Sequence, residues 1–260
     1  MKKQIITLLL VCAVLFATAV SAWAGGSKEK GKTYTIGTDT SFAPFVFQDN
    51  KGHLTGIDVD LMAAIAKDQK ITCNLKPMAF SAALTALVSG KVDGVIAGMS
   101  ITEERKSKYD FSDSYYDANV IIILAVSAND NTIAGYEDLR GKQVATKHGT
   151  EGAAFAASIR EQYGFELVYF EESNPMYEAV LAGNVVACFE DYLAIAFHVG
   201  LRENLKMIVS HEQNSSYGFA VLKGKNEALL GEFNEGLKNI RADGTYQKIL
   251  DKYIKIEAEE

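Results

Sequence analysis

The chain has 260 residues, 48% of them apolar, with 26 basic and 33 acidic side chains and a net charge of −7. This length can bury the core of one large domain or two small ones, and the apolar content supplies it. The acidic balance disfavours nucleic acid and anionic membranes as partners.

The stretch 1–24 reads as a secretory signal. Met1-Lys2-Lys3 supplies positive charge, residues 5–20 are apolar, and Ala22-Trp23-Ala24 closes in small-x-small form, predicting cleavage after Ala24. As a helix, this apolar run spans roughly 24 Å, short of the ~30 Å hydrocarbon core; an uncleaved anchor is the alternative. Cys12 follows Val11, which does not suit a lipid-attachment site. No other long apolar run exists, so the mature chain is expected to be exported and soluble. Cleavage removes Lys2 and Lys3 and no acid, leaving 24 basic against 33 acidic side chains, a net of −9. Cys73 and Cys188 sit in separate apolar, strand-like runs and are expected as two buried free thiols; pairing in an oxidising compartment is the alternative.

Residues 25–31 form a flexible charged leader. A strand over 34–37 follows, ending at Thr38-Asp39, then Pro44, the run 45–47 and a turn at 49–52. Asp58 is positioned to cap a helix carrying Val59, Leu61, Met62, Ile65 and Ala66. Residues 72–75 read as a strand, and Ser81 as the cap of a helix running to Ser89-Gly90. An apolar run over 120–126 leads to a polar loop at 127–132. A second series then begins: strand 143–146, turn 147–152, helix 153–163, strand 167–170, helix 175–182 and strand 185–189, ending at Glu190-Asp191. Residues 217–222 resemble a returning strand, followed by helices over 226–242 and 245–254 and an acidic tail at 257–260. Two strand–helix series of similar size predict two α/β units with mainly parallel sheets. Facing each other, they would gather their strand carboxyl ends around one cleft.

The stretch 94–116, GVIAGMSITEERKSKYDFSDSYY, is the most informative. Val95-Ile96-Ala97 reads as a buried strand end, Gly98 and Ser100 leave backbone and hydroxyl groups accessible, and Thr102 is an N-cap. Arg105 then offers a forked donor beside a helix N-terminus, a combination that suits a carboxylate. A solvated arginine on a surface helix is the other reading.

Catalytic and cofactor signatures are missing. There is no G-x-G-x-x-G and no G-x-x-x-x-G-K-[ST]; Gly98-Met99-Ser100-Ile101-Thr102 lacks the second Gly of a nucleophile elbow. His211-Glu212 opens like a zinc helix motif, but Ser215 occupies the second His position, and the four histidines are widely spaced. No cofactor or metal is implied, and a binding role leads an enzymatic one.

The blocks GTDTSFAPFVFQDNKGHLTGIDVDLMAAIA (37–66), AGMSITEERKSKYDFSDSYY (97–116) and VATKHGT (144–150) resemble, in order and spacing, the bacterial extracellular solute-binding proteins of the polar amino-acid family, family 3. The likeness covers essentially the whole mature chain. TDTSFAPF, KPMAFS and ATKHGT are most similar to its glutamine-binding group. The resemblance implies an α/β periplasmic-binding-protein fold, with two lobes of parallel-type sheet joined by a two-strand hinge and closing on a free L-amino acid. The first lobe would take 32–116 and 218–260 and the second 117–217, with hinge strands near 116–120 and 213–218. It also implies a periplasmic monomer that delivers its ligand to the membrane permease of an ABC importer, is not inserted in the membrane and binds no nucleic acid.

By the same resemblance, Arg105 holds the ligand α-carboxylate with the amides of Ser100 and Thr150. The Gly98 carbonyl, the Ser100 hydroxyl and Asp191 take the α-ammonium. Phe42 and Phe80 flank the ligand's aliphatic part, although ordinary core packing also accounts for two phenylalanines. Asp39 and Lys147 supply the acceptor and donor that a side-chain amide needs; a surface ion pair or a capping Asp is the alternative. Glu151 and Glu190 depart from the glutamine-binding pattern, which carries a small residue and a His there. If both acids face the cleft, preference moves toward arginine, lysine or histidine; Glu151 pointing to solvent at a helix N-terminus would leave it unchanged. Glutamine ranks first and a basic amino acid second. A dehydratase of cyclic acids on the same scaffold, using an acid such as Glu190, is a third reading.

Overall fold

In chain order the main elements begin with β1 (Thr33–Thr38), β2 (Ser41–Phe42), β3 (Val46–Gln48), β4 (Leu54–Thr55) and α1 (Ile57–Asp68). Next come β5 (Thr72–Pro77), α2 (Phe80–Val88), β6 (Gly94–Val95), α3 (Glu103–Lys106), β7 (Tyr109–Phe111) and β8 (Ile121–Ser127). The second series is β9 (Gln143–Lys147), α4 (Glu151–Tyr163), β10 (Glu166–Phe170), α5 (Ser173–Leu181), β11 (Ala187–Asp191), α6 (Tyr192–Arg202) and β12 (Leu205–Glu212). After it come β13 (Ala220–Leu222), α7 (Glu227–Ala242) and α8 (Thr245–Tyr253). This computed structural model describes residues 31–116, 121–202, 204–212 and 216–254. The expected signal, nearly all of the leader, the acidic tail and parts of both expected hinge strands therefore lie outside the described residues. All the elements belong to the unit spanning residues 33–260. Among the described residues, no helix is long and apolar enough to cross a membrane.

Two five-stranded sheets, ordered β5-β1-β6-β13-β7 and β10-β9-β11-β8-β12, organise the two lobes. In each, three strands run parallel, as strand–helix–strand connections require. The fourth strand, β13 or β8, is antiparallel to both neighbours, so the expected parallel sheets are mixed. Tyr116 and Tyr217, at the margins of the two expected crossings, form an antiparallel bridge in which the Tyr217 amide donates to the Tyr116 carbonyl at 2.9 Å.

Alternation along the central strands feeds a core on both faces of each sheet. In the second sheet Leu124, Val126, Val144 and Phe189 pack with Ala156 of α4, while Ala125, Ala145 and Cys188 pack with Met176 and Val180 of α5. In the first, Ile36 and Ile96 face α1 and α7, and Val95 faces α2. Helix α7 seats its stripe of Leu229, Phe233, Leu237 and Ile240 on that core, a periodicity that keeps one helical face apolar. Cys73 and Cys188 are both free thiols; Cys188 is buried and Cys73 half-buried.

Several local expectations change. Asp58 is not the cap of α1: Gly56 holds that position, and Asp58 is fully buried inside the first turn. Ser81 is not the cap of α2, which starts at Phe80 after Ala79; its hydroxyl instead donates to Glu171 at 2.6 Å. Thr102 does cap α3, accepting from the Arg105 amide at 3.2 Å. His211 and Glu212 end a strand, not the helix that a zinc motif needs. Helix α6, strands β7 and β12, and the three-stranded sheet of β2, β3 and β4 have no counterpart in the sequence reading.

Candidate functional site

The ends of four strands converge on one cleft. Asp39 follows β1, Gly98 and Ser100 follow β6, Lys147 ends β9, and Glu190 and Asp191 end β11. Phe42 on β2, Phe80 at the start of α2, Arg105 on α3, and Thr150 and Glu151 at the start of α4 complete the wall. Every residue singled out from the sequence for ligand binding therefore lines the same space, together with Ala97. Thr150 caps α4 by accepting from the Ala153 amide at 3.1 Å.

Arg105 spans the cleft. Its guanidinium donates to the Ser100 carbonyl at 2.9 Å and to the Gly149 carbonyl at 2.8 Å, and lies 3.3 Å from Glu151 Oε1. The solvated reading of Arg105 is excluded, since its side chain is only 11% exposed. Burial lowers its pKa, with Glu151 and Asp191 acting in the opposite direction. Glu151 thus faces the cleft.

Lys147 is held by a second set of groups. Its ammonium lies 2.5 Å from Asp39 Oδ2, 3.3 Å from the Ser173 hydroxyl and 3.4 Å from the Ser41 carbonyl. Ser173 in turn donates to Glu190 at 2.8 Å, and its amide donates to the Ser41 hydroxyl at 3.0 Å. Glu190 also accepts from the Tyr177 hydroxyl at 3.1 Å and the Asp191 amide at 3.1 Å. Both of its oxygens are therefore engaged by protein donors. The Asp39–Lys147 pair is buried, contrary to its surface reading.

Asp191 accepts from the Tyr217 hydroxyl at 2.6 Å. Burial pushes the Asp191 carboxyl up to about 7, with Glu190 adding to the rise and Tyr217 and Arg105 opposing it. Phe42 and Phe80 serve as wall and core at once: Phe42 stacks on Phe45 at 5.5 Å, and each ring is nearly buried. The Lys147 ammonium lies 5.7 Å from the Phe42 ring centre, and the Arg105 guanidinium 5.6 Å from that of Phe80.

The model for bacterial extracellular solute-binding proteins, family 3, matches residues 34–256. The chain belongs to that family. This family 3 protein is 30% identical over 260 residues to the lysine/arginine/ornithine-binding periplasmic protein of Escherichia coli (strain K12), an alignment covering 97% of each chain. Among solved structures, an ancestral arginine-binding protein bound to arginine matches with a TM-score of 0.80 and 35% identity, covering 87% of this chain and 100% of that one. An ancestral arginine-binding protein bound to glutamine gives 0.78 and 36%, covering 85% and 97%. The likeness extends over both lobes, and the two-lobed fold of the family 3 protein follows from it.

Sequence reasoning missed Ser41, Asp58, Ser173, Tyr177 and Tyr217 as parts of the site and its support. Ser41 could have been found within the first family block, and Tyr217 at the start of the returning strand. Ser173 and Tyr177 carry no local signal, because their partners lie across the sheet or in the other lobe.

Proposed function

We propose that this protein is the substrate-binding component of an ABC importer, capturing a free polar L-α-amino acid between its lobes and delivering it to a membrane permease. Arg105 grips the α-carboxylate with help from the Ser100 and Thr150 amides. The Gly98 carbonyl, the Ser100 hydroxyl and Asp191 receive the α-ammonium. Phe42 and Phe80 flank the aliphatic part. The observation that carries this reading is the placement of Arg105 and Asp191 on one buried cleft, near enough for each to bias the other's ionisation. A zwitterion leaving water needs both of its charges paired, and this cleft offers one partner of each sign.

Charge balance favours a basic side chain over glutamine, reversing the order read from the sequence. Among the lining residues, Asp39, Glu151, Glu190 and Asp191 face only Arg105 and Lys147. Lys147 is already paired with Asp39 and linked through Ser173 to Glu190, so it opposes a cation less than an unpaired lysine would. A neutral side chain leaves the excess of acid standing; arginine, lysine or histidine reduces it. The relative named for lysine, arginine and ornithine, and the similar structure bound to arginine, support the same choice. Glutamine is the second reading, supported by the paired donor and acceptor of Lys147 and Asp39 and by the arginine-binding neighbour that is bound to glutamine. The dehydratase reading has less support: a general acid must donate a proton, and Glu190 is arranged as an acceptor on both oxygens.

Calorimetric titration with arginine, lysine, histidine and glutamine tests the proposal. Arginine is expected to bind tightest, at micromolar Kd or below, about −8 kcal/mol or more favourable. Tighter binding of glutamine reverses the side-chain assignment. Binding of none of the amino acids, or turnover of prephenate or arogenate, ends the proposal.

A further inference from the structure

Asp58 occupies the second position of α1 with 0% exposure. Its side chain caps nothing in its own helix and meets the segment after β6 instead. Asp58 Oδ2 accepts the Gly98 amide at 2.8 Å, and the same N–H lies 3.0 Å from the hydroxyl oxygen of Tyr115. Tyr115 is also 0% exposed, and its hydroxyl group interacts with the Asp58 carboxylate. Asp58 Oδ1 has no hydrogen-bond partner.

The Cα of Gly98 is confined as well. Its φ is +56°, and a Cβ placed there would lie 2.1 Å from Phe42 Cε1. The Gly98 amide is thus held by Asp58 and Tyr115, and its Cα is covered by Phe42. Ala97, Gly98 and Ser100 line the cleft immediately beyond.

A buried carboxyl group with one oxygen unpartnered is costly, and an apolar residue would fill this core site more stably. Burial pushes Asp58 up to about 7, with the Gly98 and Tyr115 donors opposing and Asp39 reinforcing the rise. We infer that Asp58 is a positioning residue for ligand binding, fixing the Gly98 peptide so that Gly98 and Ser100 present their polar groups to the cleft. Asp58 acts through Gly98 and touches no ligand itself. This inference rests on the cleft being an amino-acid site.

The test is calorimetric titration of the protein and its variants with arginine and glutamine, alongside thermal denaturation without ligand. Asp58→Leu removes the acceptor while filling the space, and is expected to weaken binding at least about tenfold with a melting temperature equal to or above that of wild type. Asp58→Asn retains an acceptor for the Gly98 amide and is expected to bind within about threefold of wild type. Tyr115→Phe gives a reading independent of how D58L folds, with an expected loss of about threefold at unchanged melting temperature. Wild-type affinity in D58L, an affinity loss that only tracks thermal destabilisation, or equal losses in D58N and D58L overturns the inference. Wild-type protein that binds neither amino acid overturns the ligand reading itself, a separate outcome.

Discussion

The ammonium of Lys147 lies 2.5 Å from the carboxylate of Asp39, 108 positions earlier in the chain, and their side chains are 1% and 2% exposed. One residue ends a strand of the second sheet and the other follows a strand of the first. The bond joins the two sheets across the cleft, and under the proposed function it would tie lobe closure to the end of the cleft that receives the ligand side chain. Breaking one partner of such a buried pair costs about 3–5 kcal/mol, since the remaining charge is left uncompensated.

Asp39→Asn should therefore weaken ligand binding far more than a surface substitution, and so should Lys147→Met. The double variant should recover part of the loss, because it leaves no unpaired charge. A double-mutant cycle on calorimetric affinities checks this, with an expected coupling above about 1 kcal/mol. Strictly additive losses would mean that the pair does not form in solution.

Arg105→Ala should reduce affinity by roughly 2–5 kcal/mol, because a carboxylate enters the cleft without its forked partner. Arg105→Lys should recover only part of that, since a lysine presents a single ammonium where the guanidinium offers two parallel donors. Equilibrium titration of the three proteins decides the order, and an unaffected R105A would remove Arg105 from the site.

Asp191 and Asp58 should make the unliganded protein less stable as pH rises. Both hold their protons up to about 7 when folded, whereas an unfolded aspartate releases its proton at about 4. Between these limits the folded state binds more protons than the unfolded one, so stability falls with rising pH, by at most about 1.4 kcal/mol per pH unit for each group. Melting temperature should decline from pH 5 to pH 8. An ammonium beside Asp191 favours its ionised form, so ligand binding near pH 6.5 should release protons. Calorimetry in buffers of different ionisation enthalpy measures that release; a buffer-independent heat would contradict the placement of the ammonium.

The two thiols should be unreactive in the folded protein at neutral pH. Burial pushes Cys73 up to about 11 and Cys188 well above the ordinary thiol, leaving almost no thiolate in either. A chromogenic disulfide reagent should report Cys73 and Cys188 only after denaturation. Rapid labelling of the native chain would show that local opening exposes one of them.

The lobe architecture was legible because strand alternation and helix spacing are local properties. The residues of the candidate cleft could be gathered from the sequence because most sit at strand ends or in blocks that resemble the family. Asp58 was misread because an acid in the first turn of an amphipathic helix looks like a cap; only the tertiary approach of Gly98 shows its bond. Ser41 and Ser173 stand 132 positions apart and meet through one hydrogen bond, which no local pattern can announce. Helix α6 escaped notice because YLAIAFHVGLR follows β11 without a break, and no turn residue marks the change of period.

The position of β13 governs the order in which the molecule can be built. It lies between β6 and β7 although it is the last strand among the described residues, so the first sheet lacks the strand that joins β6 to β7 until Leu222 has been made. Among the described residues, the second sheet has all of its strands once Glu212 is made and pairs with no later strand. At about 5–20 residues per second, synthesis of the closing segment follows within seconds. The strands therefore become available in an order opposite to the order of the lobes: the sheet begun second has all of its strands first, and the sheet begun first waits for its inserted strand.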